Sequence, residues 1–210
     1  ARRIIVGMGG SASTDGGLGA VDAMGSLARY RGVELLGACD VRTRFTDAAE
    51  VFGPQKGASD AHIRLLTRRL ERLVQVYEER YGVDVSAIDR AGAAGGLAGG
   101  LAARGAQLVD GVDLVAEEVR LDEHLAGADL VITGEGRLDA TSMVGKVVGG
   151  VAAYAAAASV PLLVVVGSAD PDVVVPGDVL SLVDLFGLDR AQTDTCACVT
   201  EAVAGWLAGR

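Results

Sequence analysis

Two hydrophobic periods alternate along the chain. Short aliphatic runs fall at residues 3–6, 33–39, 108–115, 129–133, 162–166 and 179–185. The clearest of these are apolar on both faces, which suits strands buried inside a parallel sheet. Between them the apolar positions recur at helical spacing. Leu18, Val21, Met24 and Leu27 fit one helix over about 17–29. Ile63, Leu66, Leu70, Leu73, Val74 and Tyr77 form the stripe of a long helix over residues 60–80, with Asp60 as its N-cap. Arg64, Arg68, Arg69, Arg72, Glu78 and Glu79 take its remaining positions, as a solvated face does. Further helices are expected over 121–126, 145–158 and 194–207. The recurring unit is strand, glycine-rich turn, helix. That order predicts an α/β fold: a three-layer, Rossmann-like parallel sheet with helices on both faces. A glycine-loop domain is expected over 1–158, followed by a C-terminal strand–helix segment over 159–210.

Composition narrows the function classes. Half of the 210 residues are hydrophobic and only 4% are aromatic, so the chain folds around an aliphatic core. The 28 acidic residues exceed the 19 basic ones, for a net charge of −9. A protein that binds nucleic acid by neutralising phosphates does not have that balance. Small anions stay open, since backbone N–H groups bind them without a basic surface. The three cysteines, Cys39, Cys196 and Cys198, make no disulfide framework, and Cys39 is expected to be a buried apolar residue. His62 and His124 give no zinc spacing. The apolar stretch 151–167 is broken by Pro161 and reads as a helix followed by a strand, not a membrane span. With no secretory pattern at its start, the chain is expected to be cytoplasmic.

Three glycine clusters carry the candidate chemistry. The first runs Gly7-Met8-Gly9-Gly10-Ser11-Ala12-Ser13-Thr14-Asp15-Gly16-Gly17, directly after a strand. Glycines let backbone N–H groups approach an anion, and hydroxyls add donors. The bland alternative is a tight strand-to-helix turn. Gly7-x-Gly9-x-x-Ala12 nominally matches a dinucleotide fingerprint, but the loop continues into Ser-Thr-Asp-Gly-Gly where a helix should begin. The second cluster, 92–100, is a loop or a closely packed helix start. The third, Thr133-Gly134-Glu135-Gly136-Arg137-Leu138-Asp139 followed by Gly145-Lys146, is read as a loop with two carboxylates and two cations. Carboxylates hold Mg²⁺, and cations offset charge on a transferring phosphoryl group; a structural salt-bridge network is the alternative. It is not a Walker A loop, because Ala140 stands where a glycine is required and Val147 follows the lysine. Asp40 is a lone carboxylate at a strand end, and Gln55-Lys56 sit in a turn-like segment.

Four blocks in this order resemble the bacterial type-1 glycerate kinase family: residues 7–17, Val51-Phe-Gly-Pro-Gln-Lys-Gly-Ala-Ser59, Gly92-Ala-Ala-Gly-Gly-Leu97, and 129–139 with Gly145-Lys146. The resemblance implies transfer of the ATP γ-phosphoryl group to a hydroxyl of D-glycerate, with Mg²⁺. By analogy, Gly9, Gly10, Ser11, Ser13, Thr14, Gly95, Gly96, Gly134, Gly136 and Lys56 bind phosphate or substrate. Glu135 and Asp139 bind metal or orient the hydroxyl, Arg137 and Lys146 offset phosphoryl charge, and Asp15 assists. The resemblance covers the middle and C-terminal part of the family. Its N-terminal motifs do not occur here, which fits a fragment, a truncated product or one component of a split enzyme. A member that binds an anion or nucleotide without turnover is the alternative reading. Apolar positions over 180–188 suit packing against the family's N-terminal part or against a twin chain, as in a homodimer.

Overall fold

The computed structural model describes residues 1–143 and 146–209. The chain divides into two compact units, Ala1–Leu114 and Val115–Arg210.

The first unit contains β1 (Arg3–Gly7), α1 (Leu18–Met24), β2 (Glu34–Cys39), α2 (Ala48–Phe52), α3 (Asp60–Tyr81), α4 (Leu97–Ala102), β3 (Gln107–Asp110) and the start of α5 (Gly111–Glu118). Its strands form a parallel sheet in the order β1-β2-β3, with Ile5 opposite Leu36 and Cys39 opposite Asp110. Met8, Leu35 and Cys39 pack with Ala93, Ala98 and Leu101 against the sheet. The stripe of α3 buries Leu70, Leu73 and Tyr77 with Phe45 and Val21. Ser59, one residue before the expected cap, accepts the His62 N–H at the start of α3.

The second unit contains α6 (Leu121–Leu125), β4 (Val131–Leu138), α7 (Val147–Ala157), β5 (Leu162–Ala169), β6 (Asp178–Ser181), α8 (Leu182–Phe186), α9 (Leu188–Thr193) and α10 (Thr195–Ala208). Its parallel sheet has the order β4-β5-β6. The central strand shows why Leu-Leu-Val-Val-Val appears in the sequence. Leu162, Val164 and Val166 pack under α7 with Val148 and Ala152. Leu163 and Val165 face the opposite way, against Leu182, Cys198 and Ala202. This is a three-layer sandwich with both sheet faces covered.

The α/β class and the parallel strands follow the sequence pattern, but the strands form two sheets rather than one. The expected boundary near residue 158 falls inside the second sheet, because β5 pairs with β4 residue by residue from Val131–Leu162 onward. β1 is an edge strand, and its Ile5 is 45% exposed. Residues 111–118 are helical, not the continuation of a strand, because Asp110 Oδ1 accepts the Val112 N–H and turns the chain at the end of β3.

Candidate functional site

The first glycine cluster leaves the C-terminal end of β1, where the Met8 N–H still donates to the Ala38 carbonyl at 3.0 Å. Gly10, Gly16 and Gly17 all have φ between 65° and 74°, so the loop folds back on itself in a conformation L-residues avoid. A turn from the second cluster presses against it. Arg90 (φ 68°), Ala94 (φ 53°), Gly95 (φ 67°) and Gly96 (φ 90°) are left-handed within seven residues. A Cβ on Gly95 would lie 2.8 Å from Thr14 Cα, and one on Gly96 would lie 2.8 Å from Gly16 Cα. Gly95 and Gly96 therefore act through packing: they let two backbones touch, and the Gly95 carbonyl accepts the Gly16 N–H at 3.1 Å.

Lys56 closes the loop from outside. Its Nζ donates to Ser11 Oγ (3.1 Å), the Ser13 carbonyl (2.6 Å) and Thr14 Oγ1 (3.5 Å). Three N–H groups meet three loop oxygens, so Lys56 sets the loop's shape and lends its charge through the field. Burial lowers its pKa from the ordinary lysine value. A cavity of about 490 Å³ opens here, lined by Gly9, Gly10, Ser11, Asp40, Gln55 and Lys56 among others. The sequence pattern could not show that Asp40, Gln55 and Lys56 meet one loop. Asp15 takes a different place: its Oδ1 accepts the Gly17 N–H at 3.1 Å, and it lines a separate groove with Thr14, Leu18, Leu66 and Arg69.

In the second unit, residues 133–138 are not a loop. Thr133, Gly134, Glu135, Gly136, Arg137 and Leu138 are the last six of the eight residues of β4, running beside Val164–Ala169. Gly134 is required because a Cβ there would overlap the Val165 carbonyl; Gly136 faces open space, while its own carbonyl crowds the Cβ position of Gly167. Alternation along the strand puts Glu135 on the same face as Thr133 and Arg137. Glu135 Oε1 is buried without a hydrogen-bond partner among the described residues. Arg137 pairs with Asp170 at 2.9 Å, both well exposed. Asp139 follows the strand, and its Oδ1 accepts the Thr141 N–H (2.8 Å) and hydroxyl (2.5 Å). Those bonds, hydroxyl first, hold its pKa below the ordinary carboxylate value. Lys146 donates to Thr141 Oγ1 at 2.6 Å and stands 4.0 Å from Asp139. Ser142, fully buried, accepts the Asp139 N–H at 3.0 Å and fixes the turn. Gly145 lies outside the described residues. Asp139, Thr141 and Lys146 thus form one cluster, with Arg137–Asp170 as a separate pair. Asp170 and Thr141 carry no local signal in the sequence.

The glycerate kinase family model matches residues 26–202. The chain belongs to the glycerate kinase family. It is 38% identical over 205 residues to the glycerate 2-kinase of Escherichia coli K12, an alignment covering 82% of this chain and 54% of that protein. An uncharacterized protein of Mycobacterium bovis is 41% identical over 179 residues, covering 82% of this chain and 47% of its own length. A crystal structure provisionally named glycerate kinase 2, from Salmonella typhimurium LT2, superposes with a TM-score of 0.74 at 34% identity, covering 99% of this chain and 65% of that one. The chain spans about half the length of the curated relatives it matches. The family model starts after the first glycine cluster, whereas the Salmonella structure covers it.

Among the described residues, no three His, Cys, Asp or Glu side chains gather as a metal cage. Where Mg²⁺ serves phosphoryl transfer, it is held by one or two carboxylates plus phosphate oxygens. Glu135 fits that need better than Asp139, because its Oε1 is buried and unpartnered while Asp139 Oδ1 is already engaged. No helix among the described residues is long and apolar enough to cross a membrane.

Proposed function

We propose that this chain carries the phosphoryl-transfer chemistry of a glycerate kinase, moving the ATP γ-phosphoryl group to a hydroxyl of D-glycerate in the cytoplasm. One observation carries the reading most of the way. A glycine loop folded back by Gly10, Gly16 and Gly17 is closed by Lys56 over a cavity of about 490 Å³ that also contains a carboxylate. Backbone N–H groups of Gly9, Gly10 and Ser11 can donate to an anion there, and the Lys56 charge raises its affinity. That is a seat for a small carboxylate or phosphate, and family membership supports glycerate as the acid. In the second unit, Lys146 and Arg137 supply positive charge for phosphoryl oxygens. Asp139 holds Thr141 and Lys146 in place. Mg²⁺, when bound, neutralises phosphate charge, and Glu135 is the residue assigned to hold it. The remaining roles belong to the protein: orientation of the acid by the loop, and exclusion of water by the buried turn 90–96.

A second reading, a member that binds a small anion or a nucleotide without turnover, is favoured by Lys56, whose Nζ is already engaged by Ser11, Ser13 and Thr14. An assay coupled to ADP release separates the two. D-glycerate-dependent, Mg²⁺-dependent ADP release is expected of this chain or of a longer form that contains it. Absence of release from both, with D-glycerate still bound, leaves the second reading. Absence of D-glycerate and ATP binding as well removes both.

A further inference from the structure

The cavity beside the glycine loop is chemically two-sided, and one side has no role yet. Lys56, with Gly9, Gly10 and Ser11 beside it, makes one wall attractive to an anion. Asp40 stands in the same lining. It has no hydrogen-bond or ion-pair partner among the described residues. A carboxylate only accepts hydrogen bonds. It repels a bare anion and welcomes a ligand that brings a hydroxyl donor.

Asp40 is also held in place from behind. It follows Cys39, the last residue of β2. The Cys39 carbonyl accepts from Arg90 Nη1 at 3.2 Å, and Arg90 Nη2 pairs with Asp110 Oδ2 at 3.1 Å. Cys39 and Asp110 are opposite one another in the sheet, so one guanidinium ties the ends of both strands. Arg90 is 7% exposed and sits at φ 68°, a conformation that costs a non-glycine residue energy. Its own carbonyl accepts the Ala93 N–H at 2.9 Å and starts the turn that carries Ala94 into the cavity lining. A strained, buried arginine thus joins two walls of one cavity. Holding a strand end does not by itself require a left-handed arginine.

We infer that Asp40 is the residue by which this cavity selects hydroxyl-bearing anions over plain ones, and that Arg90 is the positioning residue that aims it. The ligand class is a short acid with a hydroxyl near its anionic end. This rests on the proposed function for the identity of the acid, but not for the selectivity itself.

Titration calorimetry on the intact protein with D-glycerate and with propionate, an acid of the same carbon count lacking hydroxyls, tests it. The wild type is expected to prefer D-glycerate by about 10- to 100-fold, the scale of one hydrogen bond to a charged group. Asp40→Ala should bring the ratio to within about threefold of unity, by loss of that bond. Arg90→Gly suits the backbone conformation while removing the clamp, and should lower the ratio at least fivefold, on the same scale. Adding it to Asp40→Ala should change the ratio no further. Asp110→Asn weakens the same clamp and reports in its place should Arg90→Gly fail to fold. A merely structural arginine would weaken both acids equally and leave the ratio intact. An unchanged ratio in Asp40→Ala, or a wild type without preference, overturns the inference. Turnover of D-glycerate alongside either result leaves the kinase reading standing, so the two failures are distinguishable.

Discussion

Replacing Gly95 by alanine tests the contact on which the proposed anion seat depends. Two costs are separable. Gly95 has φ 67°, and an alanine held there pays about 1–2 kcal/mol for the left-handed conformation. Its Cβ would also overlap the Ser13 carbonyl and stand 2.8 Å from Thr14 Cα. Backbone has to move to make room, and crowding of that kind costs about 1–3 kcal/mol more. Gly10 is the internal control. It has nearly the same φ, 65°, but a Cβ there meets nothing within 4 Å. Gly10→Ala should therefore cost about 1–2 kcal/mol and Gly95→Ala about 2–5 kcal/mol. Amide hydrogen exchange of peptides from α3 and the glycine loop would read the stability of the first unit directly. The displaced Ser13 carbonyl is also the 2.6 Å acceptor of Lys56, so Gly95→Ala should weaken D-glycerate binding as well. Equal destabilisation by the two substitutions would refute the claim that Gly95 exists for close approach of two backbones.

Four further outcomes are expected. Lys146→Ala should lower D-glycerate turnover by about two orders of magnitude, the worth of one preorganised electrostatic contact, and an unchanged kcat would make it structural. Arg137→Ala should leave the unfolding midpoint almost unmoved, since the exposed pair with Asp170 is worth about 1 kcal/mol or less, yet it should lower kcat; a large loss of stability with normal kcat would reverse that assignment. Thiol titration of the native protein should find exposed Cys196 reactive and Cys39 silent at pH 8.5, because burial pushes the Cys39 thiol up to about 11 from 9.0; the folded state then holds the proton more tightly than the unfolded one, so this group's contribution is complete below pH 9 and is lost as pH rises through 11, and rapid labelling of Cys39 would contradict it. Asp139 has the opposite sign: its pKa is lowered on folding, so its contribution is present above the ordinary value of 3.8 and lost as pH falls below it, and Thr141→Val should remove most of that acid sensitivity in a urea series across pH 2–5.

What the sequence made legible was whatever depends on neighbours in the chain. The stripe of α3 and the all-apolar β5 follow directly from spacing, and the left-handed turns at Gly10, Gly16 and Gly17 are where only glycine is comfortable. Glycine misled at 133–138. Loops and strands both use it, and the reason for Gly134 is a Val165 carbonyl thirty-one positions away. The split into two sheets was hidden for the same reason, since strand order depends on pairing that no local pattern encodes. Lys56 reaching Ser11, Arg137 meeting Asp170 and Arg90 bridging Cys39 to Asp110 are all long-range contacts between ordinary-looking residues. The resemblance of the four blocks points to Lys56 and Gly95 as candidates; the fold shows both shaping the loop.

The Lys56-closed glycine loop of the first unit is proposed to seat a small hydroxy acid. Backbone ¹⁵N chemical shifts followed during a D-glycerate titration address it at the atoms concerned. The Gly9, Gly10 and Ser11 amides should shift along one saturable curve, and Lys56→Met should abolish that response while the β2 and β3 amides keep their native positions. Loop amides that stay still while D-glycerate binds elsewhere on the folded chain would contradict the account.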